Sequence, residues 1–282
     1  MTGRTPVRRA AAAGHARRTR PVRRASAGLS PLRAGAALAM LVSAAATYGV
    51  GSSAAFGYRH LALDGARFTD RAAIEERLDV ATGTNLLSLR TDGLESRLRE
   101  LSTVTGADVE ARLPDTLAVH LVERTPVLAW EVAGRRYLVD RDGALFAELP
   151  PNPPPDAARL PVMVDRRADV QGLHVGDRLD PVDLDAATRL GSIRPADIGS
   201  SAASLTLAVT DENGFVLGAA PGGWTAIFGF YTPSLRTTDL IPGQVDLLAR
   251  LLAGREATIE RVVLASDTDG TFVPWTSPAP AP

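Results

Sequence analysis

The sequence predicts an α+β protein: a single N-terminal transmembrane helix, a small β-α-α-β-β unit, and a mainly antiparallel β-domain with a C-terminal helix. Three observations carry this reading. Basic and acidic residues are segregated along the chain, an uncharged stretch of 25 residues falls where they divide, and the sequence beyond it alternates between helical and strand periods. The 282 residues hold 31 basic and 32 acidic side chains, a formal net charge of −1 that hides the segregation. Residues 1–63 carry ten Arg and no acid, whereas residues 64–282 carry 21 Arg and all 32 acids, so the two parts sum to +10 and −11. A split this complete suggests two environments for one chain.

Residues 1–33 are mostly Arg, Ala, Gly, Thr, Ser and Pro, too poor in large apolar side chains to form a core, and are expected to be a disordered basic cytoplasmic tail. Arg clusters neutralise phosphates, which raises contact with lipid headgroups or nucleic acid. The simpler reading is a topology signal under the positive-inside bias. Ala34–Tyr58 has no charge and is long enough, at 1.5 Å per residue, for a hydrocarbon core of about 30 Å. Leu38, Met40, Leu41, Val42, Val50 and Phe56 make it apolar, while Gly35, Gly49, Gly51, Ser52 and Ser53 dilute it.

Three readings of 34–58 are open: an uncleaved single-pass anchor, a cleaved signal peptide with its apolar region at 34–46, and a buried helix of a soluble protein. The long Arg tail favours the anchor, with the N-terminus in the cytoplasm and everything after Tyr58 outside. Gly49, Gly51 and Ala54 imitate a dinucleotide-binding string. No strand precedes them and no acidic ribose partner stands about 20 residues on, so that reading is set aside.

Arg59–Leu63 reads as a short strand that meets a turn at Asp64-Gly65. Thr69 or Asp70 can cap a helix with Ile74 and Leu78 on one face and Glu75 and Glu76 toward solvent. After the loop Gly83-Thr84-Asn85-Leu86-Leu87, Leu94, Leu98 and Leu101 mark a second amphipathic helix over 92–101. Val104–Leu113 and Thr116–Arg124 are strand-like runs separated by Pro114-Asp115, and Leu117, Val119 and Leu121 define a core face. The order strand, helix, helix, strand, strand makes a small sheet covered on one side by two helices.

Beyond Pro126 the signals are mostly β. Val127–Glu131 and Arg136–Val139 flank Ala133-Gly134 as a hairpin, and Ala144–Leu149 follows Asp142-Gly143 as another strand. Residues 150–155 hold five prolines and read as an extended surface loop. A short run surrounds Val162-Met163-Val164, and 183–190 reads as a short, weakly patterned helix. Ser204–Val209 and Phe215–Leu217 flank Asn213-Gly214, a pair that accepts positive φ at both positions and is a strong hairpin signal. Trp224–Phe228 is a third strand. Pro242 opens a helix with a buried stripe of Val245, Leu248, Leu251 and Leu252, and Gly254 ends it. Ile259–Leu264, a turn at Asp269-Gly270, and Thr271–Trp275 close the fold.

The spacing of Leu63-Asp64-Gly65, Ile74, Gly83-Thr84-Asn85-Leu86-Leu87, Leu94, Leu98, Val104, Val109 and Arg112 resembles the POTRA domain of the FtsQ/DivIB family of bacterial cell-division proteins. Leu113-Pro114-Asp115-Thr116-Leu117, Val122-Glu123-Arg124 and Pro126 continue the likeness. Tyr137-Leu138-Val139-Asp140 with Gly143 and Phe146 is similar to the segment that follows in that family, as is Gly223-Trp224 through Ile227-Phe228-Gly229. The resemblance implies a POTRA domain at 59–125 and an FtsQ-type β-domain at 126–275, between the tail 1–33 with its transmembrane helix 34–58 and a disordered tail 276–282.

Catalysis has no visible address. No cysteine is present, which excludes a thiol nucleophile, thiolate metal sites and disulfides. His15, His60, His120 and His174 are scattered, and no GxSxG elbow, Walker loop or HExxH occurs. Asp140-Arg141-Asp142-Gly143 and Asp267-Thr268-Asp269-Gly270 begin like calcium loops but lack the later ligands and distal Glu. Asp177, Asp180, Asp183 and Asp185 read as a solvated acidic loop leading into a helix. Arg135-Arg136 and Arg166-Arg167 would point to opposite strand faces, which weakens a paired anion clamp. No catalytic residue, metal or cofactor is expected.

The positive expectation is binding. Edge strands accept a partner strand through unpaired main-chain groups, with aromatic anchors concentrating the energy. The resemblance implies that the terminal strands are the platform for small bitopic proteins of the FtsB/DivIC type, at Val263, Ala265, Thr271, Val273 and Trp275. Implied partners also include FtsL-type proteins, membrane lipids and, as a further candidate, the septal synthase pair FtsW/FtsI, with no nucleic acid and no small-molecule substrate. The implied function is a non-catalytic scaffold at the division septum. Two alternatives stand beside it: a POTRA-type module in protein secretion or assembly, and a secreted enzyme or ligand-binding protein with a cleaved signal peptide.

Overall fold

The computed structural model describes residues 31–51 and 53–276, in two compact units that divide after Ser52. The sequence readings for 1–30 and 277–282 lie outside the described residues. In the first unit, helix α1 runs Pro31–Gly51 with every described side chain at least partly exposed, and its 21 residues are long and apolar enough to cross a membrane. At 1.5 Å per residue it spans about 32 Å. The helix is shorter than the uncharged stretch 34–58. Gly57 already bridges Asn85, and Tyr58 exchanges backbone hydrogen bonds of 2.8 Å with Gly83 and Thr84, so both residues belong to the folded unit.

That unit begins with β1 (His60–Asp64), α2 (Arg71–Leu78), α3 (Thr91–Leu98), β2 (Val104–Arg112) and β3 (Thr116–Glu123). The sheet order is β1-β3-β2, with β1 parallel to β3 and β2 antiparallel to it. The helices exist because Ile74 with Leu78, and Leu94 with Leu98, place apolar groups four residues apart. All four are buried against Val104, Val109, Leu117, Val119 and Leu121. Leu86 enters this core, whereas its neighbour Leu87 stays exposed because Asn85 accepts a hydrogen bond from the Leu87 N–H and turns the chain.

The β-domain contains β4 (Pro126–Val132), β5 (Arg135–Asp140), β6 (Leu145–Glu148), β7 (Val162–Asp165), α4 (Pro181–Gly191), β8 (Ser204–Thr210), β9 (Gly214–Ala220), β10 (Thr225–Gly229), α5 (Ile241–Leu252), β11 (Ile259–Leu264) and β12 (Gly270–Pro274). The strands form one nine-stranded sheet in the order β12-β11-β10-β9-β8-β7-β4-β5-β6. The pairs β4–β7, β7–β8 and β10–β11 are parallel and the other five antiparallel. Helices α4 and α5 supply Ala186, Leu190, Leu248 and Leu252 to a core shared with Trp130, Leu207, Leu217, Phe228 and Val262.

Turn chemistry fixes two hairpins. Ala133 and Gly134 both take positive φ, at 51° and 77°, as the first hairpin requires. At the second, Gly214 alone does so, at 64°, and it pairs with Thr210 across a three-residue loop. The expected two-residue Asn213-Gly214 turn is therefore replaced by a longer loop, in which the Asn213 N–H donates to the Thr210 hydroxyl at 3.1 Å. A Cβ on Gly214 would lie 2.3 Å from the Gly229 carbonyl carbon, so two backbones meet there.

Polar contacts join the POTRA-like unit to the β-domain. Arg124 donates to the buried Asp140 carboxylate, Ser102 donates to the Phe146 carbonyl at 2.9 Å, and Arg67 pairs with Asp156. The Phe68 and Phe146 rings meet edge to face at 5.8 Å.

Candidate partner-binding edge

Strand β12 ends the nine-stranded sheet, and β11 is its sole neighbour there among the described residues. Val263 lies opposite Thr271, and Arg261 opposite Val273. Side chains alternate along a strand, so Thr271 and Val273 share one face with Val263 while Phe272 turns to the other. Phe272 lies under the Arg255 guanidinium, 5.6 Å from ring centre to carbon. The register extends inward as a row of apolar side chains, Val164, Ala208, Val216, Ile227 and Val263, one from each of β7 to β11.

The edge is held at both ends. At one end, Arg236 donates to the carbonyls of Phe228 at 2.6 Å, Leu264 at 2.8 Å and Ala265. The fully buried Gln244 amide donates to the Leu264 carbonyl at 3.2 Å and accepts from the Tyr231 hydroxyl at 2.7 Å. Burial pushes the Tyr231 phenol up, which keeps it a donor. At the other end, Glu256 accepts from Ser200, from the Ser201 amide and hydroxyl at 2.8 Å each, and from the Trp224 indole at 2.8 Å. Burial works to raise the Glu256 pKa, but these donors outweigh it and hold the carboxyl down at about 2.

Three of the five expected edge residues come together in the strands: Val263, Thr271 and Val273. Ala265 follows β11, and its carbonyl is taken by Arg236. Trp275 lies beyond β12 and not within it, because Pro274 has no N–H to continue the ladder. Its own N–H donates to the Thr258 carbonyl at 3.1 Å, and its ring lines a cleft of about 410 Å³ with Pro221, Gly222, Trp224 and Glu256. Phe272, absent from the expected set, is 38% exposed and lies within β12 on its other face.

The acidic clusters do not converge on a shared centre among the described residues. Asp140 accepts from the amides of Asp142 at 2.9 Å and Ala144 at 3.0 Å, which closes a turn. The Ser266 hydroxyl accepts from the amides of Thr268 at 3.2 Å and Asp269 at 2.9 Å, which closes the other. Asp177 accepts from His174, Asp180 caps α4, Asp183 pairs with Arg167 at 2.7 Å, and Asp185 pairs with Arg189 at 2.9 Å. Among the described residues, no three His, Asp or Glu side chains gather as a metal site. Arg135 and Arg136 diverge to Glu148 and Glu131.

The β-α-α-β-β unit with a parallel outer pair, followed by a β-domain ending in an edge strand, has the architecture of a POTRA protein, and a helix of membrane-spanning length fits a single-pass one. Residues 56–124 match the family model described as POTRA domain, FtsQ-type. Several curated relatives bear the description Cell division protein FtsQ. One from Mycobacteroides abscessus is 33% identical over 141 residues, covering 50% of this chain and 44% of the relative. One from Zymomonas mobilis is 28% identical over 144 residues, 49% and 45%, and one from Mycobacterium tuberculosis is 28% identical over 225 residues, 77% and 63%. The first two matches span about half the length of the relatives. Residues 56–124 thus match an FtsQ-type POTRA domain, and that match together with these relatives supports an FtsQ/DivIB family protein.

Proposed function

We propose that this chain is a non-catalytic scaffold of the bacterial division machinery. In this reading it crosses the cell membrane once through α1, with the residues before that helix in the cytoplasm and the folded unit outside, and concentrates at the septum. It binds bitopic proteins of the FtsB/DivIC and FtsL types, with the FtsW/FtsI synthase pair as a further candidate, and so helps assemble or regulate septal peptidoglycan synthesis. The observation that carries the reading is the outer side of β12, unpaired among the described residues, beside the exposed Val263, Thr271 and Val273.

A partner strand laid against this edge would gain main-chain hydrogen bonds worth about 0.5–1.5 kcal/mol each. A five-residue strand offers too few for tight binding unaided, so the side chains of Val273 and Trp275 must add apolar contact. Val263→Asp and Trp275→Glu test this. Each should abolish co-purification with the FtsB/DivIC-type protein while the circular dichroism of the chain stays unchanged. Retained capture by both variants would remove the edge from the account.

A further inference from the structure

Three turns lie side by side at the end of the nine-stranded sheet opposite the POTRA junction. Residues 211–213 join β8 to β9, residues 230–236 follow β10, and residues 265–269 join β11 to β12. They are stitched together: Gly214 packs on Gly229 and the Phe230 amide, Arg236 binds the carbonyls of Leu264 and Ala265, and Gly243 at the start of α5 abuts Asp267.

The middle turn is closed by its own hydrogen bonds. Thr232 N–H donates to the Arg236 carbonyl at 2.9 Å, and the Thr232 hydroxyl accepts from the amides of Leu235 and Arg236, both at 3.1 Å. The turn presents Leu235, 93% exposed, next to Phe230, 47% exposed. A lone exposed leucine on a surface is ordinary. Here it stands on a turn closed by three internal bonds, so little loop entropy is left to lose on binding. The outer turns contribute Asp211, Glu212, Asp267 and Asp269, and the sole basic residue of the three turns, Arg236, is spent on carbonyls.

We propose that this acidic crown around Leu235 and Phe230 is a second docking surface, for a protein segment that carries an apolar pocket rimmed by Lys or Arg. Charge complementarity selects that occupant. An anionic lipid surface would meet the four carboxylates with like charge. A second copy would bring together two bodies of −11 each. The proposal rests on the scaffold reading, since it takes the segment to be that of another division protein.

The test uses the full chain in phosphatidylglycerol nanodiscs and, as probe, the purified extracytoplasmic segment of the FtsB/DivIC-type protein. Leu235→Asp should weaken the Kd about tenfold or more without lowering the melting temperature. Asp267→Arg with Asp269→Arg should weaken it severalfold at 50 mM salt and hardly at 500 mM. If Val273→Asp alone abolishes binding and these variants bind as wild type, the crown is overturned and the edge stands. If Leu235→Asp abolishes it and Val273→Asp does not, the edge is overturned and the crown stands. Absence of binding by wild type overturns both. A fluorophore on Leu235→Cys, a unique site in this cysteine-free chain, should shift blue on adding probe. A blue shift in nanodiscs without probe, or one that grows with chain concentration, would assign the surface to lipid or to a second copy and overturn the proposal.

Discussion

Glu123 organises the first turn of the POTRA unit, and replacing it by alanine should be among the most damaging single changes outside the core. Its carboxylate accepts the consecutive amides of Arg67 at 2.8 Å, Phe68 at 2.9 Å and Thr69 at 2.8 Å, and the Thr69 hydroxyl at 2.6 Å. In Glu123→Ala four bonds go at once: the three amides lose their partner, while the Thr69 hydroxyl keeps the Thr103 hydroxyl at 2.5 Å. A hydrogen bond to a charged acceptor contributes about 1.5–3 kcal/mol, so an additive sum would exceed about 6 kcal/mol. The loop is only half-buried and water replaces part of the loss, which brings the expectation to about 3 kcal/mol. For a folded body of this size, about 2–4 °C is lost per kcal/mol, so the melting temperature should fall by roughly 6–12 °C. Glu123→Gln keeps one acceptor oxygen but turns an amide N–H₂ toward the donors, and should fall between wild type and alanine. Calorimetry and urea titration of the detergent-solubilised chain measure this. A Glu123→Ala change within about 0.5 kcal/mol of wild type would refute the reasoning, because it would mean that the loop is held by packing alone.

Three further outcomes follow from the same contacts. Gly214→Ala should cost at least about 2 kcal/mol in urea titration, since it forces a side chain into positive φ and onto the Gly229 backbone. Glu256 titrates near 4.5 when unfolded and at about 2 when folded, so its contribution is complete above pH 4.5 and lost as the pH falls to 2. The group is partly exposed and solvent-screened, which leaves an effect of about 1 kcal/mol, and Glu256→Gln should flatten the melting temperature across that window. Exchanging Pro31–Gly51 for a soluble sequence should move the chain from the carbonate-washed membrane pellet to the supernatant.

The POTRA unit was legible because its elements are written locally. Ile74 with Leu78 and Leu94 with Leu98 mark helices, and Leu117, Val119 and Leu121 mark the buried face of a strand, all within windows of a few residues. Strand order was not, since placing β3 between β1 and β2 depends on contacts 56 residues apart, such as Leu61 with Leu117. The same distance hid the polar anchors: Glu123 reaches back to Arg67, Glu256 to Ser200, and Arg236 forward to Ala265. No periodicity announces such pairs. At the edge, the strand pair was readable, but Pro274 cut Trp275 out of it, and the Gly214 turn took one residue of positive φ where Asn-Gly suggested two. The exposed Leu235 gave no signal, because its presentation depends on a hydroxyl three residues earlier and on a guanidinium that crosses to the next strand.

The central claim is that β12 receives a partner strand, and site-specific disulfide formation tests it most directly. The chain has no cysteine, so Thr271→Cys, Phe272→Cys and Val273→Cys each supply one thiol on β12. Each would be combined in cells with single cysteines scanned along the extracytoplasmic segment of the FtsB/DivIC-type protein. Strand pairing predicts cross-links that recur at every second partner position, with the positions for Phe272→Cys displaced by one from those for Thr271→Cys and Val273→Cys. Cross-linking that is absent, or equally strong at successive partner positions, would contradict it.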